Sequence, residues 1–196
     1  MKHIKRILVI IIIAALVFAG ILSYIKIENF IYPTSYSDYV EKYSKEYGVD
    51  KTLVFAVIKC ESSFDENAVS SVGALGLMQM TPETFEWVQT KLDGKVTYSD
   101  DDLYTPEINI KYATYLLSLH LEEFKDTKTA LAAYHAGRGN VNKWLKMSEY
   151  SSDGKSLDTT PFKETNAYCE RVVKVMDKYD FLLNSDIMIK LRSFGL

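Results

Sequence analysis

Polar residues are nearly absent from one long stretch near the N-terminus, and elsewhere they alternate with apolar ones every three or four positions. Residues 7–25 read ILVIIIIAALVFAGILSYI, interrupted only mildly by Gly20, Ser23 and Tyr24. As a helix these 19 residues measure about 28 Å, close to the hydrocarbon thickness of a bilayer. Past residue 37 the pattern changes to helical punctuation. Ser35 or Ser37 can cap a Tyr- and Val-rich helix that stops at Gly48. Asp50 can cap the next, which carries Leu53, Val54, Val57, Ile58 and Glu61 along one face. Thr81-Pro82-Glu83 and Thr105-Pro106-Glu107 repeat one start signal: a capping hydroxyl, a proline where its missing N–H is harmless, then an acid at the positive helix end. A further helix holds residues 131–135 and breaks at Gly137-Arg138-Gly139. Asn140 can cap a short one containing Trp144, residues 146–161 read as loop, and 165–183 read as a last helix. Strand-period alternation is confined to a weak candidate at 95–98. The pattern predicts a mainly α domain with little or no β, preceded by one N-terminal transmembrane helix.

The flanks of the apolar run define its role. Lys2, Lys5 and Arg6 precede it, so residues 1–6 are expected to stay cytoplasmic and the rest to lie outside. A signal peptide cut after Ala19 should turn polar there, yet Ile21, Leu22 and Ile25 continue the run, which favours an uncleaved anchor. The expected organisation is a tail at 1–6, a span at 7–25, a linker at 26–35 and an outer domain at 36–196. Composition then narrows the partners. Four of the 23 Lys and Arg and one of the 26 Asp and Glu fall in residues 1–28, which leaves the remainder at net −6. An acidic domain lacks the clustered cations that nucleic acid requires. His3, His120 and His135 form no ligand-spaced pair, so no zinc site and no cofactor are expected.

Candidate chemistry begins at Glu61, on the C-terminal end of an apolar helix. Burial there and the negative helix end both favour the protonated acid, the form needed to protonate a poor leaving group. On the helix alone, a side chain turned to water is an equal reading. The residues that follow, Gly73, Gly76 and Gln79 with serines at 62, 63, 70 and 71, offer close backbone approach and hydrogen-bonding groups suited to a polyhydroxylated ligand. Cys60 and Cys169 could pair in an oxidising compartment or remain two buried thiols. A Cys60–His135 peptidase is disfavoured, because a helix C-terminus raises a thiol's pKa.

Glu61-Ser62-Ser63-Phe64, with Ala68, Ser70, Gly73-Ala74-Leu75-Gly76-Leu77-Met78-Gln79 and Pro82, resembles the first motif of the soluble lytic murein transglycosylases. Asn109-Ile110 with Tyr115-Leu116 resembles the second. Ala133-Tyr134-His135-Ala136-Gly137 with Gly139, Val141 and Trp144 resembles the third, and Glu164-Thr165 with Tyr168 and Arg171-Val172 the last. The resemblance covers roughly residues 36–180. It implies a lysozyme-like multi-helix fold and cleavage of peptidoglycan between N-acetylmuramic acid and N-acetylglucosamine, with closure of a 1,6-anhydro ring instead of hydrolysis. It implies Glu61 as catalytic acid and then base, and Ser70, Gly76, Met78, Gln79, Tyr134, His135, Glu164 and Tyr168 as substrate-binding residues. It also places the neighbours of Cys60 and Cys169 at one cleft, within possible bridging reach. His135 stands where the family commonly has Asn, and Asn166 replaces a frequent Arg. Two other readings remain: a hydrolytic muramidase using Glu164, Asp65 or an acid at 93–102 as second carboxylate, and a non-catalytic wall-binding or scaffolding module. The expected partners are peptidoglycan strands and the membrane that holds the anchor, with a cell-envelope machine as a further candidate.

Overall fold

The computed structural model describes residues 2–193. Its helices are α1 (Lys2–Ile31), α2 (Ser37–Tyr47), α3 (Lys51–Glu61), α4 (Pro82–Asp93), α5 (Pro106–Phe124), α6 (Thr127–Ala136), α7 (Arg138–Trp144), α8 (Lys163–Asn184) and α9 (Asp186–Ser193), with a 3-10 turn at Asp100–Tyr104 before α5. No strand forms among the described residues. Two isolated bridges, Val69 to Leu75 and Leu75 to Met80, are the only sheet-like pairings described, and 95–98 is irregular.

α3 is the central helix because its sequence is apolar on every side. Leu53 to Ile58 are all buried, which only a helix enclosed by neighbours can achieve. It packs most extensively on α8 and also on α2, while α5 joins α2, α4 and α6. The caps explain where these helices start. The Asp50 carboxylate accepts the Thr52 N–H at 2.8 Å, and the Thr81 hydroxyl accepts the Thr84 N–H at 3.3 Å. Three boundaries differ from the sequence reading. Tyr36, in a left-handed backbone conformation, occupies the α2 cap position without a capping bond from its side chain, whose hydroxyl donates to Glu66 at 2.7 Å. Gly137 precedes α7, and Asn140 lies inside it, donating from Nδ2 to the Ala136 carbonyl at 2.8 Å. Residues 26–35 are not an independent linker, since α1 runs unbroken to Ile31.

α1 also touches the domain. Its side chains are exposed until Leu22, after which Leu22, Ile25, Glu28 and Tyr32 share one partly or wholly buried face. Ile25 packs with Leu182 and Met188, and the Lys178 ammonium donates to Glu28 at 2.7 Å. The Tyr179 hydroxyl donates to the Pro33 carbonyl at 2.8 Å, and its ring meets Tyr32 edge-on at 5.7 Å.

Candidate active site

Between α3 and α4 the chain folds back on itself through residues 68–80. Gly76 N–H donates to the Ala68 carbonyl (2.9 Å), while Leu75 and Met80 exchange backbone bonds at 2.9 and 3.2 Å. One side chain fastens this loop to α5. Asn109, wholly buried, accepts the Met78 N–H at 2.9 Å and donates from Nδ2 to the Leu75 and Leu103 carbonyls at 3.0 and 2.8 Å. Gly76 is required by that contact. Its φ is +73°, and a β-carbon there would sit 2.2 Å from the Leu103 carbonyl oxygen and 2.4 Å from Asn109 Nδ2. The motif's glycine therefore serves loop-to-helix packing.

The front of the loop forms a recess of about 240 Å³ lined by Glu61, Ser70, Val72, Ala74, Gln79, Met80, Thr81, Thr84, Leu116, Tyr134 and His135. Glu61 is half-buried, and burial lifts its carboxyl to about 7 against smaller lowering influences from Tyr168 and Arg171. The Tyr168 hydroxyl is itself buried beside Glu61 but does not reach hydrogen-bonding geometry, so its contact only partly offsets burial. Tyr134 is locked by donating its hydroxyl to the Met78 carbonyl at 2.7 Å. Gln79 has a left-handed backbone (φ 50°), and its Nε2 donates to the Ala68 and Gly76 carbonyls at 3.0 and 2.9 Å. Its amide thus orients the loop. Ser70 Oγ accepts the Ala74 N–H at 3.0 Å and closes the turn at the rim.

His135 stacks on the Tyr168 ring (centroids 4.4 Å apart), with Nδ1 3.2 Å from Thr165 Oγ1. Burial and then Arg171 push its pKa down, outweighing Glu164, so the imidazole is neutral at pH 7. Glu164 is exposed, within electrostatic range of His135, and does not line the recess.

Two expectations need correction. Gly76 and Met78 lie behind the recess and do not face a ligand; Met78 is wholly buried, and its backbone carries its role. The Cys60–Cys169 bridge does not form, and both thiols are free. Successive residues on α8 turn about 100° apart. Tyr168 faces Glu61, whereas Cys169 approaches the Lys128 carbonyl at 3.5 Å on the α6 side. Asn166, standing for a frequent Arg, fastens the preceding loop: it accepts the Thr160 N–H at 2.9 Å and donates to the Thr160 carbonyl at 3.0 Å.

Residues unassigned from sequence complete the picture. Arg171 bears on both Glu61 and His135. Thr84, Leu116 and Tyr134 also line a second, larger recess of about 450 Å³ with Glu83, Trp87, His120, Ala133, Gly137 and Arg138, so the two form one groove. Trp87 is 48% exposed on the α4 face opposite buried Phe85 and Val88, an apolar residue out of phase with its helix. That phase error was the available signal.

The charge state of Glu61 yields an expected pH profile. A group that must start protonated is competent below its pKa and loses activity tenfold per unit above it. With the carboxyl near 7, kcat/KM should be level in mild acid and fall above about pH 7. Arg171→Met removes a lowering influence, so the alkaline limb should move to higher pH, while Arg171→Lys leaves it nearly in place. Initial rates across pH measure this.

The fold and groove define a helical domain with a half-buried carboxyl, Glu61, raised toward neutrality in one recess of an open groove. The chain belongs to the Transglycosylase SLT domain family, whose profile matches residues 38–156. It is 29% identical over 154 residues to the soluble lytic murein transglycosylase of Escherichia coli K12, covering 78% of this chain and 24% of that protein. It is 30% identical over 167 residues to the membrane-bound lytic murein transglycosylase C of Haemophilus ducreyi, covering 74% of this chain and 45% of that one. Among solved structures, an inactive mutant of the lytic transglycosylase Slt of Pseudomonas aeruginosa aligns with TM-score 0.69 and 32% identity over 78% of this chain and 25% of that chain. The 70 kDa soluble lytic transglycosylase of Escherichia coli gives 0.70 and 26%, over 80% and 26% of the two chains. The chain thus spans about a quarter of the length of the first of these curated relatives.

Proposed function

We propose that this protein is a membrane-anchored peptidoglycan lytic transglycosylase, held by residues 7–25 with its domain on the wall side. The observation that carries the reading is a half-buried Glu61, raised to about 7, as the one carboxylate among the residues lining its recess. Hydrolytic glycosidases ordinarily need a second acid to attack or to activate water. Glu83 is exposed and lines only the second recess, and three of the other acids are engaged elsewhere. Asp65 accepts the Asn67 N–H at 2.9 Å, Asp93 is held by Tyr112 and Lys111, and Asp102 takes the Ser99 N–H at 2.8 Å. Glu164 is exposed outside the recess.

With one acid, the nucleophile comes from the substrate. Glu61 protonates the glycosidic oxygen between N-acetylmuramic acid and N-acetylglucosamine, and the muramyl acetamido group supports the charge developing at C1. The carboxylate so formed takes the proton of that sugar's C6 hydroxyl, whose oxygen closes on C1 as the 1,6-anhydro ring. No water is consumed and the acid is regenerated. A hydroxyl already fixed on the reacting ring has an effective molarity on the order of 10⁵ M or more. A pKa near 7 suits both transfers.

Full-length protein in detergent, given purified peptidoglycan, should release products ending in 1,6-anhydromuramic acid by mass spectrometry. Reducing muramic ends would replace this mechanism with hydrolysis, and no release from competent substrate would favour a binding module. The glycan strand runs on from Glu61 past Thr84 toward Trp87, whose open indole face supplies apolar contact for a sugar ring. Trp87→Ala should raise KM several-fold with kcat nearly unchanged, because the contact is remote from the bond broken. Steady-state kinetics on strands of defined length separate the two constants.

A further inference from the structure

We propose that α9 and the C-terminal end of α8 rest on the outer surface of the bilayer that α1 crosses, so the domain is seated on the membrane rather than tethered above it. The inference rests on the reading of α1 as an anchor. If residues 7–25 fill the hydrocarbon, Ile25 marks its outer edge. Ile25 is 4% exposed, and its burial comes from Leu182 of α8 and Met188 of α9. Those two helices therefore stand level with the end of the span, within the roughly 6 Å headgroup layer that borders the hydrocarbon.

The surface presented at that level has interfacial character. Phe181 is 43% exposed and Ile189 50%, and on α1 just beyond the span Phe30 is almost bare. Lys174 and Lys190 are exposed among them, and Lys178 lies 5.7 Å from the Phe181 ring centre. Apolar and aromatic side chains mixed with lysines are what a helix lying in the headgroup region requires. Charge points the same way. The chain beyond residue 28 is net negative, yet along 174–193 the sequence carries Lys174, Lys178, Lys190 and Arg192 against Asp177, Asp180 and Asp186, a slight positive excess. A slightly basic end on an acidic domain matches the attraction of anionic lipid for Lys and Arg near its surface.

Depth-dependent fluorescence quenching tests the seating. Full-length variants Ile189→Trp, Phe18→Trp and Val72→Trp are placed in vesicles of phosphatidylcholine and phosphatidylglycerol carrying nitroxides at either shallow or deep acyl positions. The parent protein supplies the Trp87 and Trp144 background. Ile189→Trp should lose most of its added emission to the shallow label, Phe18→Trp to the deep one, and Val72→Trp, at the cleft rim, to neither. Quenching at Phe18→Trp without quenching at Ile189→Trp would overturn the seating while the anchor stands. A blue-shifted but unquenched signal at Ile189→Trp would assign the face to a second copy of the chain and overturn it equally. Absence of quenching at Phe18→Trp removes the anchor and the seating together. Both Ile189 and Phe181 are exposed, so Phe181→Trp repeats the measurement should Ile189→Trp lose helical circular dichroism.

Discussion

Glu61→Gln should lower the rate of anhydromuramyl release by about 10²–10⁴-fold, the range set by loss of a positioned proton donor. The amide keeps the shape of the side chain but removes the titrating proton. It can neither protonate the glycosidic oxygen nor accept the C6 hydroxyl proton, so both halves of the proposed cycle fail together. Binding should survive, since the groove is formed mainly by side chains on the 68–80 loop, α4, α5 and α6. Comparing product release with strand co-sedimentation separates the two. Equal loss of both would make Glu61 a binding residue and undo the mechanism.

The second large effect is expected far from any sugar. Asn109→Ala should leave the Met78 N–H and the Leu103 carbonyl without their partner, while the Leu75 carbonyl keeps the Met80 N–H. Each unsatisfied buried group costs about 1–3 kcal/mol. The summed loss for the two groups is roughly 2–6 kcal/mol, or a fall in Tm on the order of 10 °C for a chain of this size. Gly76→Ala should be as damaging, because it forces a side chain into a positive-φ site already filled by Leu103 and Asn109. Thermal unfolding of the full chain in detergent measures both. Activity should fall with stability, because the Met78 carbonyl that positions Tyr134 belongs to the loop that these residues hold. An Asn109→Ala protein with unchanged Tm would show that water replaces the side chain.

These two residues mark how far the sequence could be read. The burial of Glu61 was half legible. The apolar helix, its cap at Asp50 and the inward phase are local signals, but on the helix alone a side chain turned to water is an equal reading, and the residues that follow tip it. Most helix boundaries were legible from such local signals. The division of labour within Gly76 to Gln79 was not. Which side of a loop faces a ligand depends on what packs behind it, and Asn109 lies more than thirty residues downstream. Cys169 shows the same limit differently, since adjacency to a site residue on a helix implies a different face. Trp87 and Arg171 enter the site through the placement of α4 and α8. The docking of α1 was hidden because Leu22, Ile25 and Glu28 read equally well as the end of a span.

That docking changes what the anchor is for. α8 carries Tyr168 near the reacting end of the groove and Leu182 against α1, fourteen residues and about 21 Å of helix apart. Glu28–Lys178 and Tyr179–Pro33 brace the joint between them. A catalyst mounted this way has a fixed working depth. If α1 is the anchor proposed above, the enzyme acts only on strands that come within about one helix length of the bilayer, a reach set by α8 rather than by a flexible tether.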